Sequence, residues 1–284
     1  YATPDTGSAE GGRFVKSAAF DYARTANLSE AAELLGDSSK FNRVLAGGQS
    51  LGPMLNLRLV QPDRLVDVTR IPEMKTIERD GDVVLIGACV THAAIEDGGI
   101  PDMTNGMLAS VAAGIACRAI RNRGTIGGSI AHADPAADWP TCLMALGADV
   151  SIHGKLGARS LSLSNFLQGP FQTNLDTGEL LTGVRIPAVS SSARWGYYKF
   201  CRKVGEFAET MTAVLHDPER GIARAVIGAT EARPTVIEEG IEMDVGFNAE
   251  AAEAIIERAF PDADWYKRRL HAVSLRRAVE EAVR

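Results

Sequence analysis

The sequence predicts an α+β fold, and two observations lead to this prediction. Apparent strands and helices alternate early in the chain, but two hairpin signals then interrupt the alternation. One hairpin signal lies at 76–91, where two β-rich runs join around Asp80-Gly81, and the other lies at 147–163. A regular doubly wound sheet would contain no such interruptions, so we favour α+β.

The N-terminal elements follow from caps and glycines. Residues 28–37 contain a serine, Ser29, in a capping position, with apolar residues at helical spacing; this predicts a short helix ending near Gly36. The run NRVLAGG predicts a strand that enters the pair Gly47-Gly48. The run GPMLNLRLV returns to helical spacing, and DRLVDVTR is typical of a further strand.

The remaining elements are predicted in the same way. Residues 105–124 are rich in small side chains and predict one helix that stops at Gly124. The small polar run at 188–195, AVSSSARW, predicts a linker and a domain boundary. Beyond it, GYYKFCRK and IARAVIGAT are typical of strands, and the C-terminal residues predict helices rich in Ala, Glu and Arg.

Composition excludes several classes of partner. Thirty basic and thirty-six acidic residues give a net charge of −6, whereas nucleic acid and anionic membranes require a basic surface. No apolar run is long enough to span a bilayer, and the polar first residues lack a signal-peptide core. We therefore expect a cytoplasmic protein with no nucleic-acid partner and no membrane span.

Cysteine and histidine spacing predicts no metal site in this chain. The cysteines form no Cys-x-x-Cys pair, which argues against a disulfide framework, a zinc site or an iron–sulfur cluster, so we expect buried thiols. The histidines also lack ligand spacing. These residues are Cys89, Cys117, Cys142, Cys201, His92, His132, His153, His216 and His271.

Two glycine loops carry the candidate chemistry. One contains Gly47-Gly48 followed by Gln49 and Ser50; the other contains Gly127-Gly128 between Thr125 and Ser129. Adjacent glycines expose backbone N–H groups and tolerate positive φ, and such a nest binds anionic oxygens. Together the loops could clamp the two phosphates of a dinucleotide, although each pair could instead be a simple tight turn. The G-x-G-x-x-G and G-x-x-x-x-G-K-[ST] signatures are absent, which disfavours a Rossmann site or a P-loop.

These loops, in their contexts, resemble a known family. The segments AGGQSLGPMLNLRLVQPDRLVDV and RNRGTIGGSIAHADPAADWPTCLMALGADV closely resemble the FAD-binding medium subunit of molybdenum hydroxylases, the family of carbon monoxide dehydrogenase and xanthine dehydrogenase. The resemblance continues through GELLTGVRIP, WGYYKFCRKVGEFA and ARAVIGATEARP, over nearly the whole chain after about residue 17.

The resemblance implies a domain organisation. We expect a two-subdomain FAD-binding fold of the p-cresol methylhydroxylase type, followed by a C-terminal α+β domain with a small antiparallel sheet. The expected boundaries are a flexible leader over 1–17, FAD-binding subdomains over 18–72 and 73–190, and a C-terminal flavoprotein domain over 191–284.

The resemblance also implies the cofactor contacts. Asp138 matches a position that binds the polar part of FAD; a carboxylate repels phosphate, so a ribose or ribityl hydroxyl is its expected partner, although it could simply cap a helix. Leu180 or Leu181 matches a backbone contact to the flavin edge. Tyr197 matches an aromatic residue that lies against the isoalloxazine, unless its ring is in the core, and Lys199 could place positive charge near the pyrimidine end unless it is merely solvated. The expected FAD-binding residues are Ala46, Gly47, Gly48, Gln49, Ser50, Leu51, Thr125, Ile126, Gly127, Gly128, Ser129, Asp138, Leu181, Tyr197 and Lys199.

The implied function is electron transfer without a catalytic residue in this chain. A large molybdopterin subunit would oxidise substrate, and a small subunit with [2Fe-2S] clusters would pass electrons to FAD here and then to an external acceptor, in a dimer of heterotrimers. One alternative is a self-contained oxidase of the vanillyl-alcohol oxidase group, although fewer than a hundred residues follow Arg194. Another is a nucleotide-binding regulatory module without redox activity.

Overall fold

Three short parallel strands form the first sheet, in the order β1-β3-β2. The computed structural model describes residues 17–241 and 246–284, so the expected leader lies outside these ranges except for Ser17. Because parallel strands have their carboxyl ends at one edge, the first glycine loop leaves β2 at that edge. The elements are β1 (Asp21–Arg24), α1 (Leu28–Leu35), β2 (Asn42–Leu45), α2 (Leu51–Asn56) and β3 (Arg64–Asp67).

The cap of α1 differs from the sequence prediction. The side chain of Asn27, not Ser29, accepts a hydrogen bond from the Glu30 amide at 2.9 Å. The Glu30 carboxylate in turn accepts from the Ala26 amide, also at 2.9 Å, so the capping pair begins two residues earlier than predicted. The predicted end of the helix is confirmed, since Gly36 is its C-cap.

A five-stranded antiparallel sheet forms the middle of the chain, in the order β4-β5-β10-β6-β7. Its strands are β4 (Ile77–Asp80), β5 (Val83–Gly87), β6 (Asp149–Gly154), β7 (Gly157–Ser162) and β10 (Leu180–Pro187); β8 (Leu167–Gly169) and β9 (Gln172–Thr173) form a separate pair. Both predicted hairpins are confirmed as β4–β5 and β6–β7. Strand β10 lies between them, which makes them parts of one sheet.

Six helices connect these strands, and one of them is entirely buried. They are α3 (His92–Glu96), α4 (Met107–Ala113), α5 (Arg118–Arg121), α6 (Ile126–His132), α7 (Asp138–Ala145) and α8 (Leu163–Phe166). Every residue of α7 is buried, including its aspartate. Helix α7 is therefore the centre around which the neighbouring elements pack.

The predicted single helix over 105–124 is wrong, because α4 and α5 are separate helices. Helix α4 ends at Gly114, and Ala116 takes a positive φ of 41° that no helix contains. The Arg121 guanidinium donates to the carbonyl oxygens of Ile115 and Ala116, at 2.9 and 3.4 Å. These contacts, between residues only five and six positions apart, stabilise a break that the run of small residues does not reveal.

The C-terminal part forms a four-stranded antiparallel sheet with two helices, which confirms the predicted small antiparallel sheet. The order is β11-β12-β13-β14. Alternate residues face opposite sides: Ala213 and Leu215 join the main core, whereas Val214 packs with the C-terminal helices. The elements are β11 (Arg194–Phe200), β12 (Thr210–Asp217), β13 (Ile222–Gly228), β14 (Thr235–Ile237), α9 (Ala249–Ala259) and α10 (Trp265–Ala282).

Two glycines allow helices to pack closely on the two faces of this sheet. A Cβ on Gly196 would lie 1.8 Å from the Ala278 carbonyl oxygen of α10, and a Cβ on Gly228 would lie 2.0 Å from Thr141 Oγ1 of α7. The C-terminal sheet is thus enclosed by α10 on one face and α7 on the other. Helix α7 contacts both the main core and the C-terminal part.

The predicted linker at 188–195 is held in place by hydrogen bonds. The Val189 amide donates to the Met103 carbonyl at 2.9 Å, and the Ser190 amide donates to the buried Asp217 carboxylate at 2.8 Å. The Asn105 side-chain amide donates to the Ala193 carbonyl at 3.0 Å. The domain boundary stays a prediction, but the connection itself is anchored along its length.

The cysteines follow the prediction only in part. Cys89 and Cys142 are buried, and burial raises the pKa of the Cys89 thiol to about 11. Cys117 is exposed and Cys201 is half-buried, so the expectation of buried thiols is wrong for these two. Within 17–241 and 246–284, no three His, Cys, Asp or Glu side chains are arranged to hold a metal ion, and no helix has the length and apolarity to cross a membrane.

Candidate cofactor site

The two glycine loops lie directly against each other. A Cβ on Gly47 would lie 2.1 Å from the Arg123 carbonyl oxygen and 2.9 Å from Gly124 Cα, distances that real Cβ atoms do not show. Gly47 is therefore required by the backbone that leads into the second loop. Gly48 is a glycine for a different reason, because its φ of +73° lies in the left-handed region. The loops thus form one continuous surface.

The first loop offers backbone donors. No described residue accepts a hydrogen bond from the amides of Gly48, Gln49 or Ser50. The loop is shaped from within, since Gln49 Nε2 donates to the Gly47 carbonyl at 3.1 Å and the Gly52 amide donates to Gly48 at 2.8 Å. Ser50 is exposed, and although it is the N-cap residue of α2, its side chain makes no capping hydrogen bond. The amides and hydroxyl of this loop can therefore bind anionic oxygens.

The second loop uses its amides within the protein. The Ile126 and Gly127 amides donate to the carbonyls of Val90 and Ala88, each at 3.0 Å. The Gly128 amide donates to the Thr125 side chain at 3.1 Å, and the Ser129 amide donates to the Thr125 carbonyl. The amide nest expected from the sequence is thus present in the first loop and absent from residues 126–129. A ligand can still contact the Ser129 side chain and the exposed backbone of Gly128.

The buried contacts of the second loop explain its first glycine. A Cβ on Gly127 would lie 2.3 Å from Ala88 Cβ, so residue 127 is a glycine because of close protein packing. A Cβ on Gly128 would meet only Thr125 Oγ1, at 2.7 Å, in the cap of α6. Of this pair, Gly128 is the residue that leaves space for a ligand.

Three of the predicted site residues meet in one cluster. Asp138 opens α7, whereas Tyr197 and Lys199 lie on the same face of β11. Asp138 Oδ1 accepts from the Tyr197 hydroxyl and from Lys199 Nζ, both at 2.7 Å. Lys199 Nζ also donates to the Gly114 carbonyl at 2.8 Å, and the side chains of Lys199 and Asp138 are only 12% and 10% exposed. The cluster joins the C-terminal sheet to the main body.

The electrostatics of this cluster are set by burial. Burial and the neighbouring Asp138 charge raise the pKa of the Tyr197 hydroxyl well above its ordinary value, so the hydroxyl remains protonated. The Lys199 ammonium is paired with Asp138 and is not a solvated surface charge. Asp138 does not cap α7, because that position belongs to Ala137. Within the described ranges no hydrogen bond reaches Asp138 Oδ2, which can therefore accept one from a ligand hydroxyl.

The remaining predicted contact, Leu181, lies in the sheet. Its side chain is buried in β10 opposite Ile152, and the strand has a bulge between Leu181 and Gly183. Only its backbone can contact a ligand. Trp195 alternates with Tyr197 and Lys199 on the same face of β11, and its Nε1 donates to the Asn105 carbonyl at 2.7 Å, which holds the strand against the residues before α4.

The free amides of the first loop can bind anionic oxygens and the free Asp138 Oδ2 can accept from a hydroxyl. Comparison with known proteins gives the class. The family described as FAD binding domain in molybdopterin dehydrogenase matches residues 18–189, which include both glycine loops, Asp138 and Leu181. The chain belongs to the FAD-binding medium subunits of the molybdenum hydroxylases, and FAD is its cofactor.

Individual relatives resemble the chain over most of its length. The carbon monoxide dehydrogenase medium chain of Hydrogenophaga pseudoflava is 34% identical over 93% of this chain and 96% of its own. The nicotine 6-hydroxylase medium subunit of Paenarthrobacter nicotinovorans is 36% identical over 71% of this chain and 70% of its own. A structure of reconstituted CO dehydrogenase from Oligotropha carboxidovorans superimposes with a TM-score of 0.85 at 32% identity, covering 94% of this chain and 98% of that one.

These comparisons confirm the predicted family, the α+β fold class, the flavoprotein oxidoreductase class and the cofactor. The contacts of individual residues with FAD stay predictions. The chemistry of the groups present fits FAD, since an anionic diphosphate needs donors such as the first-loop amides and a ribityl chain needs an acceptor such as Asp138 Oδ2.

Proposed function

We propose that this chain is the FAD-containing electron-transfer subunit of a heterotrimeric molybdenum hydroxylase. The observation that carries the proposal is the single surface made by the two abutting glycine loops, within a chain whose family binds FAD. FAD supplies the redox chemistry, because it can exchange one or two electrons with its partners. The protein supplies binding, orientation and tuning.

The diphosphate of FAD would lie on the first loop. The amides of Gly48, Gln49 and Ser50 would donate to its oxygens, and Ala46, Gly47 and Leu51 would hold the loop in shape. The second loop would contact the cofactor through Ser129 and the exposed backbone of Gly128, while Thr125, Ile126 and Gly127 fix its position by the hydrogen bonds described above.

The rest of the cofactor would extend toward the buried cluster. Asp138 Oδ2 would accept a hydrogen bond from a ribityl or ribose hydroxyl, and the Leu181 backbone would lie at the flavin edge. The Tyr197 ring would lie against the isoalloxazine, with its protonated hydroxyl held by Asp138. Because Asp138 neutralises Lys199, the pair adds little net charge beside the flavin. Lys199 would act by fixing Asp138 more than by supplying free positive charge.

The partners would be a small subunit with [2Fe-2S] clusters and a large molybdopterin subunit, assembled in the cytoplasm as a dimer of heterotrimers. Electrons would enter from the small subunit and leave to an external acceptor. The names of the relatives support this division, since one is the medium chain of carbon monoxide dehydrogenase and another is the medium subunit of nicotine 6-hydroxylase. One fold serving such different substrates supports a subunit that does not select the substrate.

An anaerobic titration tests the proposal. The intact complex, purified from its source, is used to identify an oxidisable substrate, and the isolated chain is then loaded with FAD and mixed with that substrate. We expect the flavin absorbance to remain until both partner subunits are added, whereas dithionite should bleach it at once. Bleaching by the substrate without partners would contradict the proposal and favour a self-contained oxidase. Heat denaturation should release about one FAD per chain, and release of FMN alone would contradict the proposed diphosphate site.

A further inference from the structure

A buried histidine, the first residue of α3, lies beneath the second glycine loop. His92 is 5% exposed, and its Nδ1 accepts a hydrogen bond from Nε1 of the fully buried Trp139 at 3.0 Å. The other edge of the ring lies against Gly124, since a Cβ on Gly124 would be 2.8 Å from both His92 Cδ2 and Nε2. The imidazole is therefore wedged between the start of the loop and the indole.

The segment that carries His92 also pairs with the loop through its backbone. The His92 amide donates to the Gly124 carbonyl at 2.9 Å, and Thr91 forms an antiparallel bridge with Thr125. Each of the two bridged threonines caps a helix, Thr91 for α3 and Thr125 for α6. These backbone contacts hold the start of the second loop against Thr91 and His92, and the His92 ring sets the distance between this segment and α7.

The hydrogen bond between Trp139 and His92 links the second loop to α7. Trp139 directly follows Asp138 in α7. The hydrogen bond from Trp139 to His92 therefore connects the segment beneath the second loop to the part of α7 that carries Asp138. Histidine suits this place because the buried indole N–H needs an acceptor, and a neutral imidazole offers one at Nδ1 while it carries its proton on Nε2. Burial and the Arg121 charge keep the ring neutral, lowering the pKa of His92 to about 4.

We infer that His92 is a positioning residue for FAD: its ring fixes the second glycine loop and Asp138 at the spacing at which both reach the cofactor. This inference rests on the proposed function. Two separate contacts are involved, the acceptor for Trp139 and the ring edge against Gly124, and substitutions can separate them.

The variants follow from the geometry. In His92→Asn the side-chain oxygen can replace Nδ1 as the acceptor for Trp139, but the ring edge against Gly124 is lost. In Gly124→Ala the added methyl group collides with that ring edge. Each single variant should raise the Kd for FAD about tenfold or more. The double variant should bind FAD better than either one, because the methyl group occupies the space that the ring leaves.

The chain offers a matched control. His271 is also buried, at 3% exposure, and its Nδ1 shares a 2.8 Å hydrogen bond with Thr210 in the C-terminal core. His271→Asn should therefore lower the melting temperature comparably while leaving the Kd for FAD within roughly twofold of wild type. The phosphorus NMR resonances of bound FAD should shift in His92→Asn and stay unchanged in His271→Asn, a difference that a general loss of stability would not produce.

The outcomes separate the two ideas. Failure of the wild-type chain to bind FAD would overturn the proposed function itself. Normal binding by the wild type, with His92→Asn indistinguishable from His271→Asn in Kd and phosphorus spectrum, would overturn only the positioning role. If His92→Asn does not fold, Trp139→Phe, which removes the indole N–H, and Gly124→Ala decide the matter. Wild-type affinity in both of these would contradict the inference, and weakened affinity in both would support it.

Discussion

Two glycines of the first loop, Gly47 and Gly48, and one in the helix that follows it, Gly52, should respond to substitution by alanine in three different ways. At Gly47 the new Cβ would lie 2.1 Å from the Arg123 carbonyl oxygen. A carbon–oxygen contact needs roughly 3.3 Å, so the loops would have to separate by about 1.2 Å. Overpacking of this kind costs about 1–3 kcal/mol, and the displacement falls on both FAD loops at once. We expect Gly47→Ala to raise the Kd for FAD at least about tenfold.

Alanine substitutions at Gly48 and Gly52 provide comparisons for the expected loss of stability in Gly47→Ala. Gly48 has φ +73°, with only Leu45 Cδ1 near its Cβ position at 3.4 Å, so Gly48→Ala should cost about 1–2 kcal/mol through backbone strain alone. Gly52 lies in α2 with nothing within 4 Å of its Cβ position, and Gly52→Ala should stabilise the chain by up to about 1 kcal/mol.

Urea unfolding of the FAD-free chain and titration of flavin fluorescence measure the two effects separately. The predicted order of stability is Gly52→Ala above wild type, then Gly48→Ala, then Gly47→Ala. Wild-type stability and FAD affinity in Gly47→Ala would refute the claim that the loops abut, and a destabilised Gly52→Ala would show that the loop geometry is different.

Other expectations concern the buried groups. Lys199→Met leaves the Asp138 carboxylate buried without its cation and should cost about 3–5 kcal/mol in urea unfolding; adding Asp138→Asn should recover part of this, and additive losses would contradict the pairing. The pKa of His271 is lowered by burial from 6.5 to about 4, so the unfolded chain takes up a proton before the native chain as pH falls. The contribution of the buried, neutral His271 to the free energy of unfolding, about 3 kcal/mol, should be lost as the pH falls from 6.5 to 4. The free energy of unfolding of His271→Asn should lack this pH dependence. An unchanged pH slope in that variant would contradict the assignment. Tyr197→Ala should change the flavin potential or its oxygen reactivity more than the Kd for FAD, and unchanged spectra and potential would assign the tyrosine to packing alone.

Local chemistry made much of the fold predictable. The strand that enters Gly47-Gly48 and the hairpin at Asp80-Gly81 depend on turn residues adjacent in sequence, and Gly81 indeed has a positive φ of 58°. The break between α4 and α5 could not be predicted in this way. It depends on Arg121, which contacts carbonyls across the turn, and a run of small residues carries no sign of that contact.

The candidate site shows the same division. The glycine pairs identified the loops, but the reason for each glycine depends on a remote partner. Gly47 contacts Arg123, and Gly127 contacts Ala88. Pattern alone could not tell a glycine that admits a phosphate from one that admits another backbone. Only the pairing of loop residues in space shows that the first loop retains free amides and that residues 126–129 do not.

The cluster of Asp138, Tyr197 and Lys199 has a consequence for where the functional unit ends. The family match stops at residue 189, whereas two members of the cluster lie beyond it on β11. A chain that ended at 189 would retain both glycine loops yet leave a buried carboxylate without its cation, and α7 would lose the sheet that covers Thr141. The segment that the family model covers is thus smaller than the unit that the buried ion pair requires, whereas full-length relatives match over 93% of this chain. Gene fusions or fissions in this family should preserve the junction between α7 and β11 in one polypeptide.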